Sequence, residues 1–343
     1  MKLKYIKIFA IILILVFAAN ISYSGPRKKL GTSAAPELLI PVGSVGTSLS
    51  GSNLSNVTGV EAIYWNPAGL AVLNSNYAEV QFSHMTYFAD MKVEYFAAGA
   101  KLGNLGNIGV SIKTLNIGEI QETTELQPEG TGAIFKPTYI IANLGLARQM
   151  TDRIRFGTNV KVINENVANV NATGFAFDFG IQYIAGTTGF SFGIALKNLG
   201  PSMTFNGPGL DRTYEIEGRS YTQRVVLQSF DLPTNLEIGI GYNLRLTDKM
   251  NLNLLGSFQN SGFTSDEYRF GLEYNYNNMF YARGAFNIYP DKNSDESLFG
   301  PTFGAGIRYP FGSFTIGFDY AYRIINEKGF DSTNQFFTLY LGF

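Results

Sequence analysis

The chain of 343 residues contains one histidine, His84, and no cysteine. Hydrolytic and acyl-transfer sites need a base beside the nucleophile, and histidine is the commonest one. His84 shares a register with Val80 and Phe82, the apolar side of an alternating segment, so no Ser/His/acid arrangement can be built around it. The absence of cysteine removes thiolate zinc, iron–sulfur clusters, disulfides and lipid attachment through a thiol. Gly103, Gly106 and Gly109 have the spacing of a phosphate loop, but no strand–loop–helix context surrounds them, and a turn entering a strand is the better reading. Asn56-Val57-Thr58 has the pattern of a glycosylation acceptor, which means nothing without a glycosylating host. No catalytic, cofactor or metal site is expected, and the chain is read as non-enzymatic.

Charges are the remaining chemistry. Arg153, Arg155, Lys161, Asp178, Lys197, Glu237, Arg245, Glu267, Arg269, Glu273, Arg283, Arg308, Asp319 and Arg323 fall on the polar register of alternating strands. Mixed signs on one face either pair into a solvated interior or line a path for a ligand. Glu119, Glu122, Glu125 and Glu129 make one connection acidic, and Asp291, Asp295 and Glu296 another, which disfavours capture of free anions at long range, weakly because salt screens it. With 26 basic against 27 acidic residues, the chain lacks the basic excess of a nucleic-acid binder.

The elements that must position these charges are strands. The chain is 45% hydrophobic, 14% aromatic and 15% charged, with 38 glycines; such a charge-poor, aromatic chain is not disordered. Phe175, Phe177, Phe179, Ile181 and Tyr183 alternate with Gly174, Ala176, Asp178, Gly180 and Gln182, and the same period of two recurs along Asn235–Leu244, Glu267–Tyr274 and Ser313–Ile324. Large aromatic residues occupy one face; Gly, Ser, Asn and isolated charges occupy the other. A closed interior could not hold so many large side chains, but lipid can receive them while the small polar face lines a lumen. About 14 strands are expected, near residues 77–87, 92–102, 105–117, 137–149, 153–164, 173–184, 189–199, 234–246, 249–260, 266–276, 279–289, 301–309, 313–325 and 333–343. Alternate connections are short turns, while the long ones, near 118–136, 200–233 and 290–300, fall on the opposite side, as in outer-membrane barrels. An unpaired backbone edge is not viable in lipid, so the first and last strands should pair.

Lys2, Lys4 and Lys7 precede an apolar run from Ile8 to Ala19, followed by Ser22-Tyr23-Ser24. This is the layout of a secretory signal peptide, the run being shorter than the roughly 17–25 residues of a spanning helix; an uncleaved anchor is the alternative. The expected organisation is a signal peptide over 1–24, a plug over 25–76 inside the lumen, and an all-β transmembrane antiparallel barrel over 77–343. Phe337, Leu339, Leu341 and the final Phe343 share one face and look like the C-terminal signal read by the barrel-assembly machinery. That machinery and outer-membrane lipid are the expected partners, in the bacterial cell outer membrane.

Before the first strand stands Trp65-Asn66-Pro67-Ala68-Gly69-Leu70-Ala71. Asn66 is placed to cap a helical turn, Pro67 to begin it, and Trp65 to anchor it. This block resembles the N-terminal motif of the FadL/OmpP1 superfamily of outer-membrane barrels, and the preceding Thr32–Gly43 stretch is similar to its PorV/PorQ branch. The resemblance implies a 14-stranded barrel with its N-terminal segment folded inside. It implies two functions: an accessory to protein export of the type IX kind, with a translocon or exported cargo as partner, or a FadL-like channel for hydrophobic small molecules. The second expects an apolar pocket between outer loops and plug, and an opening in the wall. The long 200–233 connection, with Tyr214, Tyr221, Val225, Val226, Leu227 and Phe230, either contacts another protein or packs over the barrel mouth.

Overall fold

In the computed structural model, residues 31–290, 298–326 and 333–343 are described; the signal-peptide reading and the acidic stretch Asp291–Glu296 lie outside them. Fourteen of eighteen strands close into an antiparallel barrel. These are β1 (Ala78–Thr86), β2 (Lys92–Lys101), β3 (Asn107–Asn116), β6 (Thr138–Gln149), β7 (Ile154–Val167), β8 (Val170–Ile184), β9 (Phe190–Leu199), β12 (Asn235–Thr247), β13 (Met250–Ser261), β14 (Glu267–Tyr276), β15 (Phe280–Ile288), β16 (Phe299–Phe311), β17 (Phe314–Ile325) and β18 (Thr333–Gly342). Two small hairpins lie in outer connections: β4 (Ile120–Gln121) with β5 (Ile134–Phe135), and β10 (Asp211–Ile216) with β11 (Arg219–Arg224).

Closure is made as lipid requires. β1 pairs with β18 from Glu79↔Gly342 to Thr86↔Gln335, and Tyr77 N–H donates to the Phe343 carbonyl at 2.8 Å. The two faces separate by size and polarity. On β8, Phe175, Phe177, Phe179 and Ile181 are exposed to the membrane while Ala176, Asp178 and Gln182 are buried in the lumen.

Two boundaries depart from the sequence reading. β7 and β8 run on to Val167 and Val170, joined by Ala168-Asn169, so this hairpin projects beyond the expected strand ends. Pro310 continues β16 instead of opening a turn, paired with Thr315. It is tolerated because β15 begins at Phe280, opposite Ile307, and no strand beside Pro310 needs its missing N–H.

The lumen is filled by short helical turns rather than by one long helix: Pro36–Leu39, Ser44–Ser48, Ser52–Ser55, Gly59–Glu61, Ala62–Trp65 and Pro67–Ala71. Their Val60, Ile63, Trp65 and Leu70 pack with Met85, Val93, Tyr95 and Phe336 of the wall. Higher up, Ala34, Ala35 and Leu38 pack with Ile141 and Ile163 of the wall and with Met203 and Leu232 from the long outer connection.

Candidate functional site: an outer chamber between plug and wall

Trp65-Asn66-Pro67-Ala68-Gly69-Leu70 is the foot of the plug. Asn66 is extended (φ −153°, ψ 107°) and its Oδ1 accepts the Ala68 N–H at 3.2 Å, with Pro67 opening the turn. Its Nδ2 donates to the carbonyls of Leu54 at 2.9 Å and Ile181 at 3.3 Å. One side chain therefore joins two plug segments to β8. The wall receives the turn on glycines: a Cβ on Gly157 would meet the Pro67 carbonyl, and one on Gly180 the Asn66 amide. These bonds and close approaches fasten the motif to the wall. Phe337 and Leu339 face lipid, Leu341 is half-buried beside them, and Phe343 packs edge-on to Phe314 with centroids 5.4 Å apart.

The plug divides the lumen into two chambers. The outer one, about 350 Å³, is lined on the plug side by Pro36, Leu38–Pro41, Tyr64 and Trp65, and on the wall side by Tyr87, Tyr289, Leu298 and Phe299. The inner one, about 720 Å³, is mainly bounded by polar groups, among them Asn53, Glu61, Glu79, Glu273, Arg283 and Arg308. The partition is the Ser44–Asn53 stretch, with Thr47 and Ser50 on the outer chamber and Val45, Leu49 and Asn53 on the inner. It is tied to the wall by Ser44 Oγ with Thr338 Oγ1 (2.7 Å) and Ser50 Oγ with Thr302 Oγ1 (3.0 Å), and to the plug by Gly46 N–H donating to Glu61 Oε1 (2.8 Å).

The charges expected on the inward register are there, largely paired. Lys161 meets Asp178 at 2.7 Å, Lys197 meets Glu237 at 2.9 Å, and Arg269 bridges Glu267 at 2.8 Å and Glu237 at 3.3 Å. Below them Arg283 joins Glu273 (2.6 Å) and Asp319 (2.8 Å), and Arg308 joins Asp319 (2.5 Å). Arg153 and Arg245 stay exposed and Arg155 is half-buried. Arg323 lies in the outer chamber wall. His84 is on the lipid side, its Nδ1 2.7 Å from Glu94 Oε1 on β2.

Sequence reasoning missed Lys113 and Glu37. Lys113 Nζ donates to the carbonyls of Glu37 (2.6 Å) and Ile40, holding the first plug turn. Glu37 is buried and neither carboxylate oxygen meets a donor among the described residues; burial first, then the neighbouring Glu165 carboxylate, push its carboxyl up to about 8. Burial likewise raises Glu61, against the Gly46 N–H bond, and raises Tyr64, whose hydroxyl donates to Ile40 O at 2.9 Å.

The wall ladder is irregular at two places near the outer chamber: β8–β9 shifts register opposite Lys197 and Asn198, and β15–β16 stops short. β15 and β16 pair only from Phe280↔Ile307 to Ala285↔Thr302, although β15 runs to Ile288 and β16 begins at Phe299. Pro301 has no N–H to offer, and the β16–β17 register shifts between Phe299 and Thr302. Asn287, Leu298, Phe299 and Thr302 beside this seam line the outer chamber.

The fold that positions these chambers is a 14-strand antiparallel barrel with its N-terminal segment folded into the lumen. Three solved structures share the fold. The CymD monoaromatic hydrocarbon channel matches over 88% of this chain and 97% of its own, with 12% identity and a TM-score of 0.57. A Pseudomonas aeruginosa FadL homologue matches over 88% and 98%, with 12% identity and a TM-score of 0.51. The Ralstonia pickettii toluene transporter TbuX matches over 87% and 96%, with 14% identity and a TM-score of 0.51. No family model and no curated protein matches the chain. The chain thus has the fold of bacterial outer-membrane barrels, and two of these neighbours are described as a channel and a transporter.

Proposed function

We propose that the protein is a channel that admits small hydrophobic or amphiphilic compounds across the outer membrane. The observation that carries this reading is the outer chamber: its plug side is apolar and aromatic, it lies under the outer loops, and it abuts the interrupted β15–β16 seam. The seam adjoins the outer chamber on its wall side, so it offers a solute held there a lateral exit that does not cross the Ser44–Asn53 partition. The named ligands of the CymD and TbuX structures, small aromatic hydrocarbons, are of a size the chamber accepts. The test is uptake of a radiolabelled small aromatic by cells lacking their own channels of this kind. Expression of this chain should raise the rate well above the empty-vector control; equal rates would sink the reading.

The export-accessory reading draws on a separate observation. The β10–β11 hairpin exposes Tyr214, Ile216 and Tyr221, with Val226 exposed just beyond it and Arg224 Nε 2.6 Å from Asp211. A partner protein could use that surface. Recovery of a large translocon or secreted cargo with the tagged barrel, under gentle extraction, would favour this role over the channel.

A further inference from the structure

Among the described residues four cations line the outer chamber, and three of them hold a carboxylate: Lys161 with Asp178, Lys197 with Glu237, and Arg269 with Glu267 and Glu237. The fourth, Arg323 on β17, is 7% exposed. Its Nε and Nη2 donate to the neutral Asn334 Oδ1 at 3.2 and 2.7 Å, and its plane lies 3.8 Å from the centroid of Phe299. Among the described residues no carboxylate pairs with it and no acceptor meets Nη1. A buried guanidinium without a counter-charge is costly, and the aromatic face compensates only in part. Among the described residues, Arg323 is therefore the one chamber cation with no carboxylate in contact, set among aromatic rings.

We propose that Arg323 is the anchor for the carboxylate of an aromatic monocarboxylic acid, the ring of which lies among Tyr64, Trp65 and Phe299. This rests on the channel reading and narrows it to a ligand class. A planar guanidinium already held on one edge presents its remaining donors in a fixed direction, which suits a carboxylate. One surplus charge accommodates one carboxylate; a second would meet Glu237 and Glu267. Tyr64 and Trp65 carry Lys197 over their rings at 5.1 and 5.6 Å and so offer a ligand ring their edges, a contact that a flexible alkyl chain cannot match at equal cost in ordering.

Trp65 lines the chamber and is the only tryptophan, so its fluorescence reports occupancy without labelling. The full-length barrel in detergent is titrated with benzoate, with the neutral isostere benzamide, and with octanoate, near neutral pH. Benzoate should bind roughly tenfold to a hundredfold more tightly than benzamide, the ratio expected for one charge-assisted contact, and more tightly than octanoate. Arg323→Gln should bring the benzoate-to-benzamide ratio to about one. If it does not yield a heat-modifiable barrel, Arg323→Lys decides, since it keeps the charge but loses the fork and the stacking and should lower the ratio. A wild-type ratio near one, a ratio unchanged in the folded variant, or octanoate binding as tightly as benzoate would overturn the proposal while benzamide binding leaves the channel reading standing. No response of Trp65 to any of the three probes would remove both.

Discussion

Gly46 lies flat against the indole of Trp65: a Cβ on Gly46 would fall on the ring nitrogen. The helical turn that separates the two chambers is therefore seated on the tryptophan that opens the plug's anchoring motif. Gly46 N–H also donates to Glu61 Oε1 at 2.8 Å, so displacement of the ring would strain this bond. Gly46→Val should destabilise the seated plug by about 1–3 kcal/mol, the usual cost of forcing extra methyls into a packed interior. The expected readouts are a red-shifted Trp65 emission and faster proteolysis between residues 44 and 53, with the barrel still heat-modifiable because its wall ladder is untouched.

Asn66 performs two tasks that substitutions can separate. Asn66→Ala removes the cap on Ala68, worth about 1–2 kcal/mol, and deprives the buried carbonyls of Leu54 and Ile181 of a donor. Asn66→Ser can restore an acceptor for the cap but cannot reach both carbonyls. Urea-unfolding midpoints followed by Trp65 fluorescence should rank wild type above Ser and Ser above Ala. Equal midpoints for Ser and wild type would mean that the bonds to Leu54 and Ile181 contribute nothing.

The wall was readable because lipid imposes a period of two on every strand. Phe175, Phe177 and Phe179 announce their face whatever lies elsewhere in the chain, and the cap at Asn66 is written in four consecutive residues. The outer chamber was not readable in the same way. Leu38 and Tyr64 reach its centre only through the path of the plug, and Arg323 is brought opposite them by strand register nearly the whole chain away. Lys113 escaped the sequence reading, since nothing local says that its ammonium would find the carbonyls of Glu37 and Ile40. Glu37 lay in a stretch recognisable only as a resemblance, with no period to say that its carboxyl would be buried beside Glu165.

Glu37 makes plug docking sensitive to pH. Its carboxyl is raised from 4.5 to about 8 by burial and by Glu165, partly offset by Lys113. The folded state thus holds the proton more tightly than the unfolded chain does, and the sign follows: this contribution is fully present below about pH 4.5 and is lost as pH rises through about 8. Protease protection of the Pro36–Leu39 turn should fall between about pH 4.5 and about pH 8 in wild type and level off above it. Glu37→Gln, neutral throughout, should flatten that dependence and match the wild type at its acidic end. A pH profile unchanged by the substitution would assign the effect to another group.

The β15–β16 seam can be locked without background chemistry because the chain has no cysteine. Continuing the register beyond Ala285↔Thr302 sets Phe286 opposite Pro301. The double variant Phe286→Cys, Pro301→Cys should form a disulfide under oxidising conditions if the strands can approach to the Cα separation of about 4.4–6.8 Å that such a bond needs. Where lateral passage is the exit, oxidation should reduce uptake of a small aromatic several-fold and reductant should restore it, while Trp65 still reports entry into the chamber. If the oxidised, cross-linked barrel transports as fast as the same variant kept in reductant, solute leaves by another route, and the partition at Ser44–Asn53 becomes the element that must move. The two outcomes separate a wall exit from a luminal one because the cross-link touches neither the partition nor the Asn66 anchor.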